Sequence, residues 1–149
     1  MSQYLTFKLV NKANPEIKVD LGYWCTSIAR SISWNFNGIF SSTNGDDGVK
    51  LSPETLKSYI ETLHEGIEDY KDNLKKEQEK KREITELLLR AQTEIVVNAI
   101  KDEIESIDES IADWQDEIDD WSSVETKLVF ILEILNENIE NWDLEYTNG

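Results

Sequence analysis

Residues 52–74 read SPETLKSYIETLHEGIEDYKDNL. Leu56, Ile60, Leu63, Ile67, Tyr70 and Leu74 recur at alternating steps of four and three, the spacing that keeps one stripe of a helix turned toward a partner helix. Ser52 offers a hydroxyl to the free N–H groups of the first turn, and Pro53 suits the first helical position because that position needs no donor. The stretch therefore predicts a long helix with a coiled-coil seam. From Leu56 to Asn148 there is no proline, and Gly66 is the only glycine.

Toward the C-terminus the seam fades in KKEQEKKRE (75–83), which has no apolar residue. It resumes at Ile84, Leu88, Ala91 and Ile95, then changes phase to Val97, Ile100, Ile104, Ile107, Ile111, Trp114, Ile118 and Trp121. A helical hairpin could turn back at the fade (75–83) or at the phase break (95–99). The charged stretch 75–83 is the favoured turn, because Ile95, Val96 and Val97 are too apolar for an exposed tip. Ser122-Ser123-Val124-Glu125 matches a capping box and predicts a separate last helix over 123–141, with Val124, Leu128, Ile131, Leu132, Leu135 and Ile139 on its buried side.

Outward on the other side, SSTNGDDG (41–48) reads as a loop. Trp24, Ile28, Ile32 and Phe36 recur every four residues and predict a short amphipathic helix over 23–37, stopped by Asn37-Gly38. Leu5, Phe7 and Leu9 alternate, as do Ile17, Val19 and Leu21, so 3–21 reads as a β-hairpin around the turn residues NKANP. WDLEYTN alternates again and predicts a strand at 143–147 beside that hairpin. The expected fold class is α+β, predominantly helical: a small antiparallel sheet from the two chain ends, plus a long helical hairpin or coiled-coil bundle spanning 52–121. A length of 149 residues fits a single domain over 1–149.

The chain resembles a group of small acidic accessory proteins of tailed bacteriophages, particularly phages of gut bacteria. The likeness rests on YLTFKLV at 4–10, LGYW at 21–24, LSPETLKSYIETL at 51–63 and the closing LVFILEILNENIENWDLEY. It implies a phage setting and an α+β layout, and no catalytic residue carries over.

The charge is unevenly placed. The formal net charge is −16; residues 1–101 hold 14 basic against 15 acidic side chains, whereas 102–149 hold 16 acids against Lys127 alone. Within this, DEIESIDESIADWQDEIDDW (102–121) carries ten acids and no cation. On a helix whose seam is Ile100–Trp121, the residues Asp102, Glu105, Glu109, Asp113, Asp116 and Asp120 fall on one outward strip. Glu125, Glu133, Glu137 and Glu140 extend the acidity into the last helix. Twenty helical residues span about 30 Å, so the charges lie about 3 Å apart, close to the ~3.4 Å of a nucleic-acid single strand. Such a surface repels nucleic acid and anionic lipid and attracts a basic partner. Acidic outer faces also keep helical proteins soluble, and that reading stands beside the first.

No catalytic constellation is visible. His64, the only histidine, sits among Glu61, Glu65 and Glu68 next to seam residue Leu63, as a boundary residue paired with a carboxylate would. Cys25, the only cysteine, reads as a small buried residue, with Arg30 as the nearest candidate activator. One His and one Cys exclude the usual zinc spacings, and NGDDG (44–48) lacks the alternating acids of a calcium loop. Lys75, Lys76, Lys80, Lys81 and Arg82 are interleaved with acids and read as a solvated face. No cofactor, no metal and no membrane span are expected, and a single cysteine with no secretory leader predicts a reducing cytoplasm; the resemblance implies that it is the cytoplasm of the infected bacterial host.

The expected function is a non-enzymatic interaction protein that binds a basic host protein through Asp102, Glu105, Glu109, Asp113, Asp116, Asp120, Glu133 and Glu137. Its concrete version is a nucleic-acid mimic inhibiting a host defence nuclease or CRISPR effector, without contacting nucleic acid itself. One alternative is a homo-oligomer or structural phage protein using the seam, with Tyr70, Trp114 and Trp121 as the residues to test. A second is a small-ligand binder with Trp24, Trp34 and Phe36 lining a pocket.

Overall fold

The elements follow one another as β1 (Leu5–Asn11), β2 (Lys18–Trp24), α1 (Thr26–Asn35), β3 (Val49–Leu51), α2 (Pro53–Leu88), α3 (Glu94–Glu137) and β4 (Trp142–Asn148). This computed structural model describes residues 4–24, 26–43 and 47–149. The chain is α+β and mostly helical, with the small antiparallel sheet built from its two ends. Its contacts divide it into two compact units, Met1–Gly66 with Val124–Gly149, and Ile67–Ser123.

In the first unit the sheet order is β2-β1-β4-β3. The C-terminal strand pairs along the whole of β1, from Leu5 opposite Asn148 to Asn11 opposite Trp142. β3 is a short strand on the outer side of β4, over residues between the expected loop and the expected helix, where three residues cannot establish an alternation. The hairpin is present, but its second strand differs from expectation. A register shift between Phe7 and Lys8 lets Gly22 and Trp24 share a face with Val19, and Gly22 takes φ +123° there. β2 is an edge strand; its Val19 is 45% exposed, and Ile17 just before it 49%, where the alternation predicted burial.

An aromatic cluster fills the space behind the sheet. The Phe7 ring meets Trp24 and Phe40 edge-on at 5.4 and 5.3 Å, and Phe40 meets Tyr59 and Tyr146 at 5.0 and 5.3 Å. Each such pair contributes about 0.5–1.5 kcal/mol beyond simple burial. α1 buries Ile32, and Phe36 is buried just past its end. Asn37 at φ 54° and the Gly38 N–H donating to the Ser33 carbonyl at 2.9 Å close the helix as Asn-Gly predicts. Ser52 caps α2, its Oγ accepting from the Thr55 N–H at 3.1 Å.

Gly66 has a packing role. A Cβ at this position would lie 2.4 Å from Cε1 and 2.6 Å from Cδ1 of Phe36, whose ring is only 2% exposed. Gly66→Ala should therefore destabilise the protein despite gaining about 1 kcal/mol of helix propensity. Overpacking costs roughly 1–3 kcal/mol, so a small net loss in urea unfolding is expected. Phe36→Leu in the same chain should recover part of it, since the two side chains compete for one space.

The second unit is a helical hairpin, and it corrects the expected turn. The helices turn at 89–93, not at 75–83 or 95–99. The seam never stops: after Tyr70 and Leu74, the positions at the same steps are Glu77 and Lys81, both half-buried, then Ile84 and Leu88. Long aliphatic stems cover the seam while their charged ends reach water. Thr93 starts α3, with its hydroxyl facing the Val96 N–H and its carbonyl accepting from Val97. Apolar side chains are nonetheless exposed beside the turn: Leu89 is 86% exposed, Ile95 82% and Val96 45%.

The second correction concerns Ser122-Ser123. α3 runs unbroken from Glu94 to Glu137 through the apparent capping box. Buried Ile118, Trp121, Val124, Leu128, Ile131 and Leu135 continue one stripe across it at steps of three and four. In a continuous helix the N–H groups that a cap would serve are already bonded to the preceding turn. Asn44, Gly45 and Asp46 of the NGDDG loop, and Cys25, lie outside the described residues; Asp47 is exposed.

Candidate functional site

α3 places six of the eight acids predicted to bind a partner in the second unit. Asp102, Glu105, Glu109, Asp113, Asp116 and Asp120 follow steps of three and four, and all six are exposed. They lie opposite the buried Ile107, Ile118 and Trp121. From Asp102 to Asp120 the strip runs about 27 Å at the ordinary helical rise. Glu133 and Glu137 belong to the first unit and are exposed as well.

The acids of α3 sort into two groups. Those beside the seam are used within the protein. Glu103 faces Lys80 at 3.9 Å, Asp108 faces Lys81 at 2.6 Å, and Glu117 accepts from the Trp121 indole N–H at 2.8 Å. Among the described residues, none of the six outward acids forms an ion pair. The strip holds like charges four residues apart at Glu105/Glu109, Glu109/Asp113 and Asp116/Asp120, each pair costing a few tenths of a kcal/mol by about the amount an opposite pair would gain. Glu137 ends a helix with no basic residue in its last turn, where the macrodipole disfavours an anion. The strip thus works against helix stability, if mildly.

No match to this chain emerges from comparison with protein-family models, curated proteins or solved structures.

The remaining candidates resolve by geometry. His64 Nδ1 lies 2.9 Å from Glu125 Oε2, so a carboxylate of α3 meets this histidine of α2. Of the basic cluster, Lys80 and Lys81 reach across to α3, and Arg82 pairs with Glu79 at 3.0 Å. The seam aromatics are engaged inside the chain: Trp121 is buried, and the Tyr70 and Trp114 rings stand 5.5 Å apart. Self-association through that seam would have to open it. Burial first, and then the Glu117 charge, push the Tyr70 hydroxyl above its ordinary range. The folded state therefore holds this proton more tightly than the unfolded chain. Its contribution is complete below about pH 10 and is lost as the pH climbs past that value. A Tyr70→Phe chain should show less alkaline loss of melting temperature than the native one.

Trp24, Trp34 and Phe36 do not form one pocket, contrary to the ligand-binding expectation. Phe36 is 2% and Trp24 8% exposed, whereas Trp34 is 89% exposed on the outside of α1. Among the described residues no three carboxylate, imidazole or thiol groups converge on a metal position. Among the described residues, too, no helix is long and apolar enough to cross a membrane.

Phe130, 62% exposed, and Val129, 40% exposed, went unnoticed in the sequence. The signal was there: Leu128 to Leu132 are five consecutive apolar residues. A helix with one buried stripe must turn some of such a run toward solvent.

Proposed function

We propose that this chain is a non-enzymatic interaction protein of a tailed bacteriophage, working in the cytoplasm of the infected host. It binds a basic host protein through the outward acids of α3 and occupies the groove that protein uses for nucleic acid. A nuclease or CRISPR effector of host defence is the partner class that fits this chemistry. The observation that carries the reading is the division of labour on α3. Acids beside the seam are engaged within the chain, while the outward six share one strip without a cation and at a small cost to the helix. A helix selected only for solubility has no reason to avoid lysine at the i+4 positions.

The test is capture from host lysate by the immobilised chain. At about 50 mM salt a basic, nucleic-acid-binding protein should be retained, and it should elute steeply as the Debye length shrinks from roughly 14 Å toward 3 Å near 1 M. Recovery of nothing, or only of partners indifferent to salt, would sink the reading.

A further inference from the structure

A cavity of about 220 Å³ opens in the first unit between β2 and α3, lined by Leu21, Gly22, Trp24, Lys127, Phe130 and Ile131. Four of its walls are large apolar side chains. Gly22, at φ +123°, has nothing within 4 Å of where a Cβ would be, so the register shift in β2 leaves this wall open. The one charge is Lys127, the sole cation of residues 102–149. Its ammonium lies 5.8 Å from the centre of the Trp24 ring, and among the described residues no carboxylate stands within ion-pair distance of it. In a chain with 31 acids, a lysine over an aromatic face at an apolar mouth is a recognition arrangement, greasy below and cationic at the rim.

We propose that this cavity binds an unbranched aliphatic carboxylate, with its chain against Leu21, Trp24, Phe130 and Ile131 and its carboxylate on the Lys127 ammonium. The occupant would cover Phe130, which is 62% exposed. Lys127 gains by the exchange, because a charge-assisted hydrogen bond outweighs an exposed cation–π contact. The volume is below the roughly 300–1,000 Å³ of drug-sized sites, which favours a short flexible chain over a ring system. The rest of the negative field is held off at physiological salt, where screening acts beyond about 8 Å. This site is independent of the acid strip of the second unit.

The experiment is calorimetric titration of the full chain at physiological salt with butanoate, hexanoate and octanoate, and with 1-octanol as the uncharged control. Octanoate should bind saturably, and each pair of methylenes buried should tighten binding roughly tenfold or more, at about fourfold per methylene. Lys127→Met should weaken octanoate by about tenfold or more while leaving 1-octanol unchanged. Phe130→Ser should weaken both, and as both side chains are exposed these variants keep the circular dichroism of the native chain. Equal binding of octanoate and octanol to the native chain would overturn the proposal. So would the absence of saturable octanoate binding, or a Lys127→Met chain that binds octanoate as well as the native one.

Discussion

A chain carrying Asp113→Lys, Asp116→Lys and Asp120→Lys should lose partner binding on the order of 100-fold while staying folded. Exposed ion pairs contribute about 0.2–1 kcal/mol each, and reversing a charge exchanges an attraction for a repulsion, so three reversals accumulate to that range. Most of the change should appear in the association rate and in the salt dependence. Stability should not fall. A lysine at position 113 stands four residues from Glu109 and four from Glu117, and one at 116 stands three from Asp119, so these repulsions become attractions, while 113, 116 and 120 stay like-charged among themselves. Circular dichroism melts beside the binding assay check both halves. Lost binding with an unchanged or raised melting temperature assigns the acids to recognition. Lost binding with a collapsed fold would assign them to structure, and retained binding would remove them from the mechanism.

The largest stability effect should come from Asn148, one residue from the end of the sequence and fully buried. Its Nδ2 donates to the Ala29 carbonyl at 3.0 Å and to the Phe40 carbonyl at 2.6 Å. Its backbone pairs with Thr43, donating to Oγ1 at 3.0 Å and accepting from the Thr43 N–H at 2.8 Å. One side chain thus ties α1, the segment after it and β4 together. It also holds the carbonyl of Phe40, a residue at φ 49° in the left-handed region that side chains disfavour. Asn148→Ala leaves both carbonyls buried without this donor, at a cost of roughly 2–4 kcal/mol. That corresponds to about 5–15 °C in melting temperature for a chain of this size.

Asn148→Asp is the sharper variant. It keeps the shape but turns a donor into an acceptor facing two carbonyls, unless the carboxyl is protonated. Burial would raise the folded-state pKa of that carboxyl, so stability should be retained below about pH 4 and fall as the pH rises through and beyond it. A flat pH profile for this variant would mean that the two carbonyl contacts do not govern the end of β4.

The outline of the fold was legible wherever a signal was local. The alternation of Leu5, Phe7 and Leu9 placed β1, Asn37-Gly38 closed α1, and Ser52-Pro53 opened α2. The C-terminal alternation placed β4, and docking it on the hairpin followed from the need to pair its edge. What misled were features whose meaning depends on the partner surface. Glu77 and Lys81 looked like the end of the seam, because composition does not reveal that their stems lie across it. Ser122-Ser123-Val124-Glu125 has the residues of a cap, but Trp121 and Val124 are both core residues, and burying them keeps the helix intact. The turn at 89–93, LRAQT, was hidden because it holds no glycine or proline and has apolar Leu88, Leu89 and Ile95 in or beside it.

The strip of acids was legible because it follows from helical period alone, once the seam Ile107–Ile118–Trp121 is known. Its division from the engaged acids Glu103, Asp108 and Glu117 required the partner helix. Lys127 and Phe130 were within reach of the sequence, one as the sole cation of an acidic third and the other within a run too apolar for one stripe. Their meeting with Leu21 and Trp24 depends on the register shift at Gly22, which no local pattern announces.

Competition with nucleic acid tests the central claim most directly. A labelled single-stranded oligonucleotide is bound to the captured host partner at low salt, and the native chain is titrated against it. Mimicry predicts that the oligonucleotide is displaced in proportion to the chain bound, and that the Asp113→Lys, Asp116→Lys, Asp120→Lys chain displaces none. A ternary complex, with the oligonucleotide still bound at unchanged affinity, would contradict it.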